Sequence, residues 1–214
     1  MSKITRRDFL RISGATFVAL LGGTVWRATD QGVFSTSDGI AYEPWLNWQN
    51  ELPPTPLALV RAAILAANPH NTQPWLFRVS ETSIDLFADT TRNIGTIDPF
   101  LREMYIGLGC ALENLLLAAP ANGYAPDLNL LPAPEQIAHI ELHPDNNATP
   151  ELYHAIPIRH TNRGEYQTTP LAENVLVTLD AFNDDPDVKV FWFTADNDRQ
   201  QIANLTYRAA AHIT

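Results

Sequence analysis

The sequence predicts an α+β fold, and three observations carry that prediction. Hydrophobic residues make up 45% and charged residues 18% of 214 residues, the balance of a chain able to bury a core. No repeat of solenoid period is visible. The order of predicted elements is helix, hairpin, helix, strands, then helix, strand, helix, which lacks the strict alternation of a doubly wound sheet.

Taken in order, Thr55-Pro56 opens the first helix, with a hydroxyl at the cap and proline where its missing N–H costs nothing. Leu57, Val60, Arg61, Ile64, Leu65 and Ala67 keep helical spacing until Asn68-Pro69, because the residue before proline is pushed to extended geometry. Trp75 to Val79 and Ser83 to Ala88 read as strands of a hairpin around Ser80-Glu81-Thr82. Phe100 to Ala119 is the longest helical pattern, ended by Pro120. It is apolar on most sides, which suits the middle of a core or a large interface. Leu128 to Leu131 and Ile137 to Leu142 are strand candidates, and Pro144 to Pro150 is a loop. Arg159 to Tyr166 is polar and turn-like; Leu171 to Phe182 is a helix, Val188 to Phe193 a strand and Asp198 to His212 a helix without a stop signal. Asp184-Asp185-Pro186-Asp187 is a solvated turn.

Charge and cysteine content narrow the function classes. Fourteen Lys and Arg against 24 Asp and Glu give a net charge of −10, which opposes nucleic-acid binding. Cys110 is the single cysteine, so an internal disulfide framework and all-cysteine metal centres are excluded; within its apolar helix it reads as a small buried hydrophobe. The N-terminus carries Thr5-Arg6-Arg7-Asp8-Phe9-Leu10 ahead of an apolar run from Ile12 to Val25. That run is short against the roughly 20 residues a spanning helix needs. It also has no polar face for a globular helix. Together these features resemble a twin-arginine export signal, over residues 1–28. The bulky Trp26 near the expected cleavage site leaves retention as a membrane tether open. Export by that route carries folded proteins, commonly with a cofactor already bound. Residues 29–54, rich in Ser, Thr, Gly, Pro and Trp, read as a linker or wrapping arm.

Two polar clusters can carry chemistry. Asn68-Pro69-His70-Asn71-Thr72-Gln73-Pro74-Trp75 holds carboxamides, an imidazole and a hydroxyl between two prolines. A carboxamide offers a donor beside an acceptor, matching a heterocycle edge that presents C=O next to N–H, such as a flavin pyrimidine ring. Apart from His70 the cluster has no group suited to attack or proton abstraction, so the chemistry would belong to a bound molecule. A solvated turn has the same composition. The second cluster is Arg159-His160-Thr161-Asn162-Arg163-Gly164-Glu165-Tyr166. Its two guanidinium groups could grip a phosphate or stand at the flavin N1/C2 edge, where charge collects on two-electron reduction. A surface helix start with ion pairs to Glu165 is the alternative. His139, Glu141 and His143 alternate along a probable strand and share a face that could ligate a metal; with no third histidine placed nearby, an exposed face is favoured and no metal is expected. Asp89 and Arg92 flank a turn, as an ion pair or a cofactor-side contact.

The segment Pro69-His70-Asn71-Thr72-Gln73-Pro74-Trp75 resembles the flavin loop of the nitroreductase family. Arg159-x-Thr161-x-Arg163-x-x-Tyr166 is similar to that family's Arg-x-Ser/Thr-x-Arg segment, and Gly109 to Ala119 with Asn122-Gly123-Tyr124 resembles its central helix and exit. In the ordinary family the arginine segment precedes the loop; here it follows it. That order resembles the fused branch, where two units in one chain imitate a dimer and the loop of the first faces the arginine segment of the second. The resemblance implies a nitroreductase-like FMN fold, a pseudo-dimer with a first unit over 55–150 and the start of a second over 151–214. Only residues 158–214 remain after Pro157, so the second unit is expected to be incomplete and the chain interrupted. Asn68 stands where serine is usual. The resemblance further implies FMN held by His70, Asn71, Gln73, Trp75, Arg159, Thr161 and Arg163, with no residue acting as acid or base. Reduced nicotinamide, NADH or NADPH, would give hydride to FMN, which would reduce a nitro or quinone acceptor outside the cytoplasm, in the periplasm or an equivalent space. Nicotinamide nucleotides are scarce there, so a flavin-binding or flavin-storing protein without turnover is the alternative.

Overall fold

The computed structural model describes residues 16–17, 21–30, 42–48, 55–146, 148–183 and 185–211. The paired arginines of the expected export signal lie outside them; residues 21–30, at its end, are helical and exposed but for a half-buried Ala28. The chain divides into two compact units. The first comprises Met1–Asn93 and Phe100–His160, the second Ile94–Pro99 and Thr161–Thr214.

The first unit is a mixed helix and antiparallel-sheet structure, so the α+β class holds. Its helices are α1 (Pro56–Ala63) and α2 (Arg102–Ala121). Its strands are β1 (Trp75–Val79), β2 (Ser83–Ala88), β3 (Tyr124–Ala133) and β4 (Gln136–Pro144), in the order β1-β2-β4-β3 with every neighbour antiparallel. The β1–β2 hairpin matches the sequence reading to the residue. Its turn is closed by Ser80, whose hydroxyl oxygen accepts the Ser83 N–H at 2.9 Å and the Thr82 N–H at 3.2 Å.

Strand alternation sorts the sheet into two faces. Ile84, Leu86, Ala138, Ile140 and Leu142 point to the helices and form the core with Leu59, Ala62, Ala63 and Leu65 near α1 and Met104, Leu108, Ala111, Leu115 and Ala118 of α2. The α2 residues recur at three- and four-residue spacing, one stripe of the helix. Tyr105 and Ile106 stay exposed, Ile106 at 63%. The helix that reads as apolar on most sides therefore buries one face. Among the described residues it is the one helix long and apolar enough to cross a membrane, but its buried stripe marks a core helix. Asn114 ties the two helices by donating to the Ala62 carbonyl at 3.1 Å. Before them, a helical turn at Glu43–Leu46 lays Trp45 and Trp48 against the core, with the Trp48 ring 5.3 Å from that of Tyr153.

The outer face of the sheet carries a polar row beside Leu76 and Phe87. Arg78, Asp85 and His139 line up across β1, β2 and β4. Asp85 is only 9% exposed, because it accepts from Gln136 Nε2 at 2.8 Å, lies 2.6 Å from His139 Nδ1 and is covered by Arg78 at 3.6 Å. The Asp85 hydrogen bond raises the His139 imidazole above its ordinary value.

Several boundaries differ from the sequence reading. Helix α1 ends at Ala63, and Leu65 and Ala66 continue it with tighter bonds to Ala62 and Ala63. Thr55 has extended cap geometry but its side chain makes no cap hydrogen bond. Pro120 lies inside α2, where a last-turn proline costs one bond; the stop comes from Gly123, at φ 80°, whose N–H reaches the Pro120 carbonyl at 3.1 Å. Strands β3 and β4 run beyond both predicted cores because pairing with each other extends them. Cys110 is half-buried rather than buried.

In the second unit, α3 (Glu173–Asp180) and α4 (Asp196–Ala210) are the helices, and neither has a buried residue. His212, the predicted end of the last helix, lies outside the described residues. Val188 to Phe193 is not a strand. Its apolar pattern has no partner strand among the described residues, and alternation without a ladder does not hold a strand.

Candidate functional site

Asn68 to Trp75 forms the junction from α1 to β1, and its backbone is unusual. His70, Asn71 and Gln73 all take positive φ, at 48°, 56° and 50°. Asparagine tolerates that region, whereas histidine and glutamine each resist it by about 1 kcal/mol. Such a conformation persists only where its surroundings enforce it.

Four contacts do so. Asn68 Oδ1 accepts the Gln73 backbone N–H at 2.8 Å, while Asn68 Nδ2 donates to the Ala66 carbonyl at 3.2 Å. Thr72 N–H bonds the Pro69 carbonyl at 3.0 Å, making a tight turn of Pro69–Asn71. Arg92 Nη1 donates to the Thr72 carbonyl at 3.2 Å and is held by Asp89, with Nε 3.4 Å from Oδ2. Helix α2 closes the back at Gly107, where an added Cβ would lie 3.1 Å from Asn68 Cβ and 3.2 Å from Pro69 Cδ. The Thr91 hydroxyl hydrogen bond, followed by the Thr91 N–H and the Arg92 charge, lowers the Asp89 pKa below its ordinary 3.8 against the opposing effect of desolvation.

With the backbone so occupied, the side chains of His70, Asn71 and Gln73 are left without hydrogen-bond partners among the described residues, and all three residues are exposed. Thr72 Oγ1 is buried with no partner among the described residues. Trp75 starts β1 and packs half-buried against the core.

Arg159 belongs to the same unit. Pro69 has no N–H, so it cannot donate to the Leu65 carbonyl; Arg159 Nη2 does so instead, at 3.4 Å. The guanidinium is thus tied to the end of the segment that launches the loop. Thr161 and Arg163 fall in the second unit and are exposed, with Asn162 Oδ1 accepting the Gly164 N–H at 3.0 Å in a local turn between them.

Sequence reasoning missed three residues that shape this loop. Asn68 reads as a helix stop, a member of the polar cluster and a departure from serine, without its bond to the Gln73 N–H. Arg92 reads as an ion pair with Asp89 or a cofactor-side contact, without its reach back across 20 residues to Thr72. Gly107 gives no sequence signal, since a glycine in a helix does not say what approaches it.

No protein-family profile matches the chain. Over 115 residues it is 35% identical to a Mycobacterium tuberculosis protein named "Putative NAD(P)H nitroreductase Rv3131", covering 51% of this chain and 33% of that protein. A second M. tuberculosis protein, named "Putative NAD(P)H nitroreductase acg", is 30% identical over 81 residues, 38% of this chain and 24% of its own length. The match spans a third or less of the curated relatives. Over the matched stretches the chain is thus similar to proteins that carry a nitroreductase name.

Proposed function

We propose that this chain is part of an exported, FMN-dependent oxidoreductase of the nitroreductase type. The observation that carries the reading is the braced loop, in which three left-handed residues are enforced while the groups at His70, Asn71 and Gln73 stay available. Strain maintained by so many contacts, with the polar side chains unspent, suits recognition of a polar planar ligand.

The residues fit such a group. Asn71 and Gln73 offer donor–acceptor pairs to the C=O and N–H edge of a flavin, and His70 and Trp75 bound the loop on either side. The buried Thr72 hydroxyl is the polar atom left over when the loop folds, and a ligand acceptor would satisfy it. Arg159, in the same unit as the loop, would supply a cationic contact to the phosphate or to the N1 side of the ring. FMN when bound would supply the redox chemistry, accepting hydride from reduced nicotinamide and reducing a nitro or quinone acceptor. The chain's own part is to bind and orient, and acceptor protons come from water.

The twin-arginine segment motivates export of a folded, loaded protein to the periplasm or its equivalent. The test mixes purified flavin-loaded protein anaerobically with NADH or NADPH. Bleaching of the flavin band supports an enzyme; a band that persists overturns nicotinamide-dependent turnover and leaves a flavin holder.

A further inference from the structure

We propose that the outer face of the sheet carries a divalent-cation site formed by Asp127, Glu141 and His143, suited to a borderline metal such as Zn2+. Register alone assembles it. Asp127 of β3 lies directly opposite Glu141 of β4, and His143 follows two residues along β4 on the same face. One ligand atom from each of the three lies within 4.8 Å of the others. Tetrahedral zinc with N and O ligands at about 2.0–2.2 Å needs donors about 3.3–3.6 Å apart. His143 Nε2 is 3.9 Å from Glu141 Oε2, and both side chains are more than half exposed and free to close that gap.

Two further features favour a cation. Like charges directly opposed across an antiparallel pair are destabilising, and Asp127 has no hydrogen-bond or ion-pair partner among the described residues. The nearest guanidinium on this face, Arg78, is committed to Asp85 at 3.6 Å and to the Phe87 ring at 4.9 Å. Beside Glu141 on the same strand stands His139. Its Nδ1 is engaged by Asp85 at 2.6 Å, which sets its Nε2 3.8 Å from Glu141 Oε1 and leaves Oε2 on the His143 side. One imidazole with two carboxylates suits zinc better than magnesium, and three protein ligands leave positions for water. The sequence reading of His139, Glu141 and His143 looked for a third histidine on one strand, whereas the added carboxylate, Asp127, comes from the neighbouring strand.

The test is calorimetric titration of chelator-treated protein with Zn2+, compared with His143→Ala and Asp127→Asn, both surface changes. The expected result is zinc binding by the unaltered protein that either substitution weakens at least about tenfold, with a zinc-induced rise in melting temperature that both variants lose. Equal zinc binding by all three proteins, or none by the unaltered one, overturns the site. Equal affinity for Mg2+ overturns its assignment to a borderline cation.

Discussion

The Asn68 carboxamide oxygen accepts the Gln73 backbone N–H at 2.8 Å, closing the loop that carries His70 and Asn71. Asn68 thereby helps fix His70 and Gln73, the two left-handed residues of the loop that resist that shape. Asn68→Ala removes this acceptor and the donor to Ala66. The expected cost is about 1–2 kcal/mol of stability, with flavin affinity reduced about tenfold. Thermal unfolding and flavin fluorescence titration check the two effects separately.

Gly107→Ala tests the wall behind the loop. In an open helix the change gains about 1 kcal/mol. Here the new Cβ would meet Asn68 Cβ at 3.1 Å, Pro69 Cδ at 3.2 Å and Asn68 Cα at 3.3 Å. A proline ring and backbone cannot swing aside as a flexible side-chain tip would, so the propensity gain is expected to be cancelled and flavin affinity to fall. Full flavin affinity together with raised stability would show that the loop can yield.

The Asp89–Arg92 brace gives a pH dependence whose sign follows from the lowered pKa. Asp89 titrates below its unfolded value, so its contribution is present above that value and lost as pH falls through the folded one. The Thr72–Arg92 contact should hold through the ordinary carboxylate value of 3.8 and weaken only at lower pH. Thr91→Ala removes the largest cause of the shift, so the loss should begin at higher pH. The amide resonance of Gln73 followed by NMR against pH distinguishes the two proteins.

Helix α2 supplies a paired prediction. Leu115 is fully buried whereas Ile106 is 63% exposed. Leu115→Ala should cost about 2–5 kcal/mol. Ile106→Ala should stay within about 0.5 kcal/mol. Denaturant unfolding of both variants checks which face of the helix meets the core.

That helix also shows where sequence legibility ended. Its length was readable from periodicity, but Ile106 is as apolar as Leu108, and composition cannot say which stripe a core will use. The β1–β2 hairpin was fully legible because alternation, turn residues and length agreed. Val188 to Phe193 was misread for the opposite reason: a strand needs a partner, and no local pattern supplies one. The loop's polar character was legible at Asn71 and Gln73. Its brace was not, since Arg92 and Gly107 reach it only through the fold. The same limit hid Asp127, which joins Glu141 by strand register.

The central claim is that the loop from Asn68 to Trp75 holds the edge of a flavin, and a flavin absorbance spectrum tests it most directly. It should be recorded on the native protein and on an Asn71→Ala, Gln73→Ala double variant of matched stability. The account predicts a yellow native protein and a variant that has lost most of its FMN. A colourless native protein that takes up no added FMN, or a double variant that keeps a full complement, would contradict it.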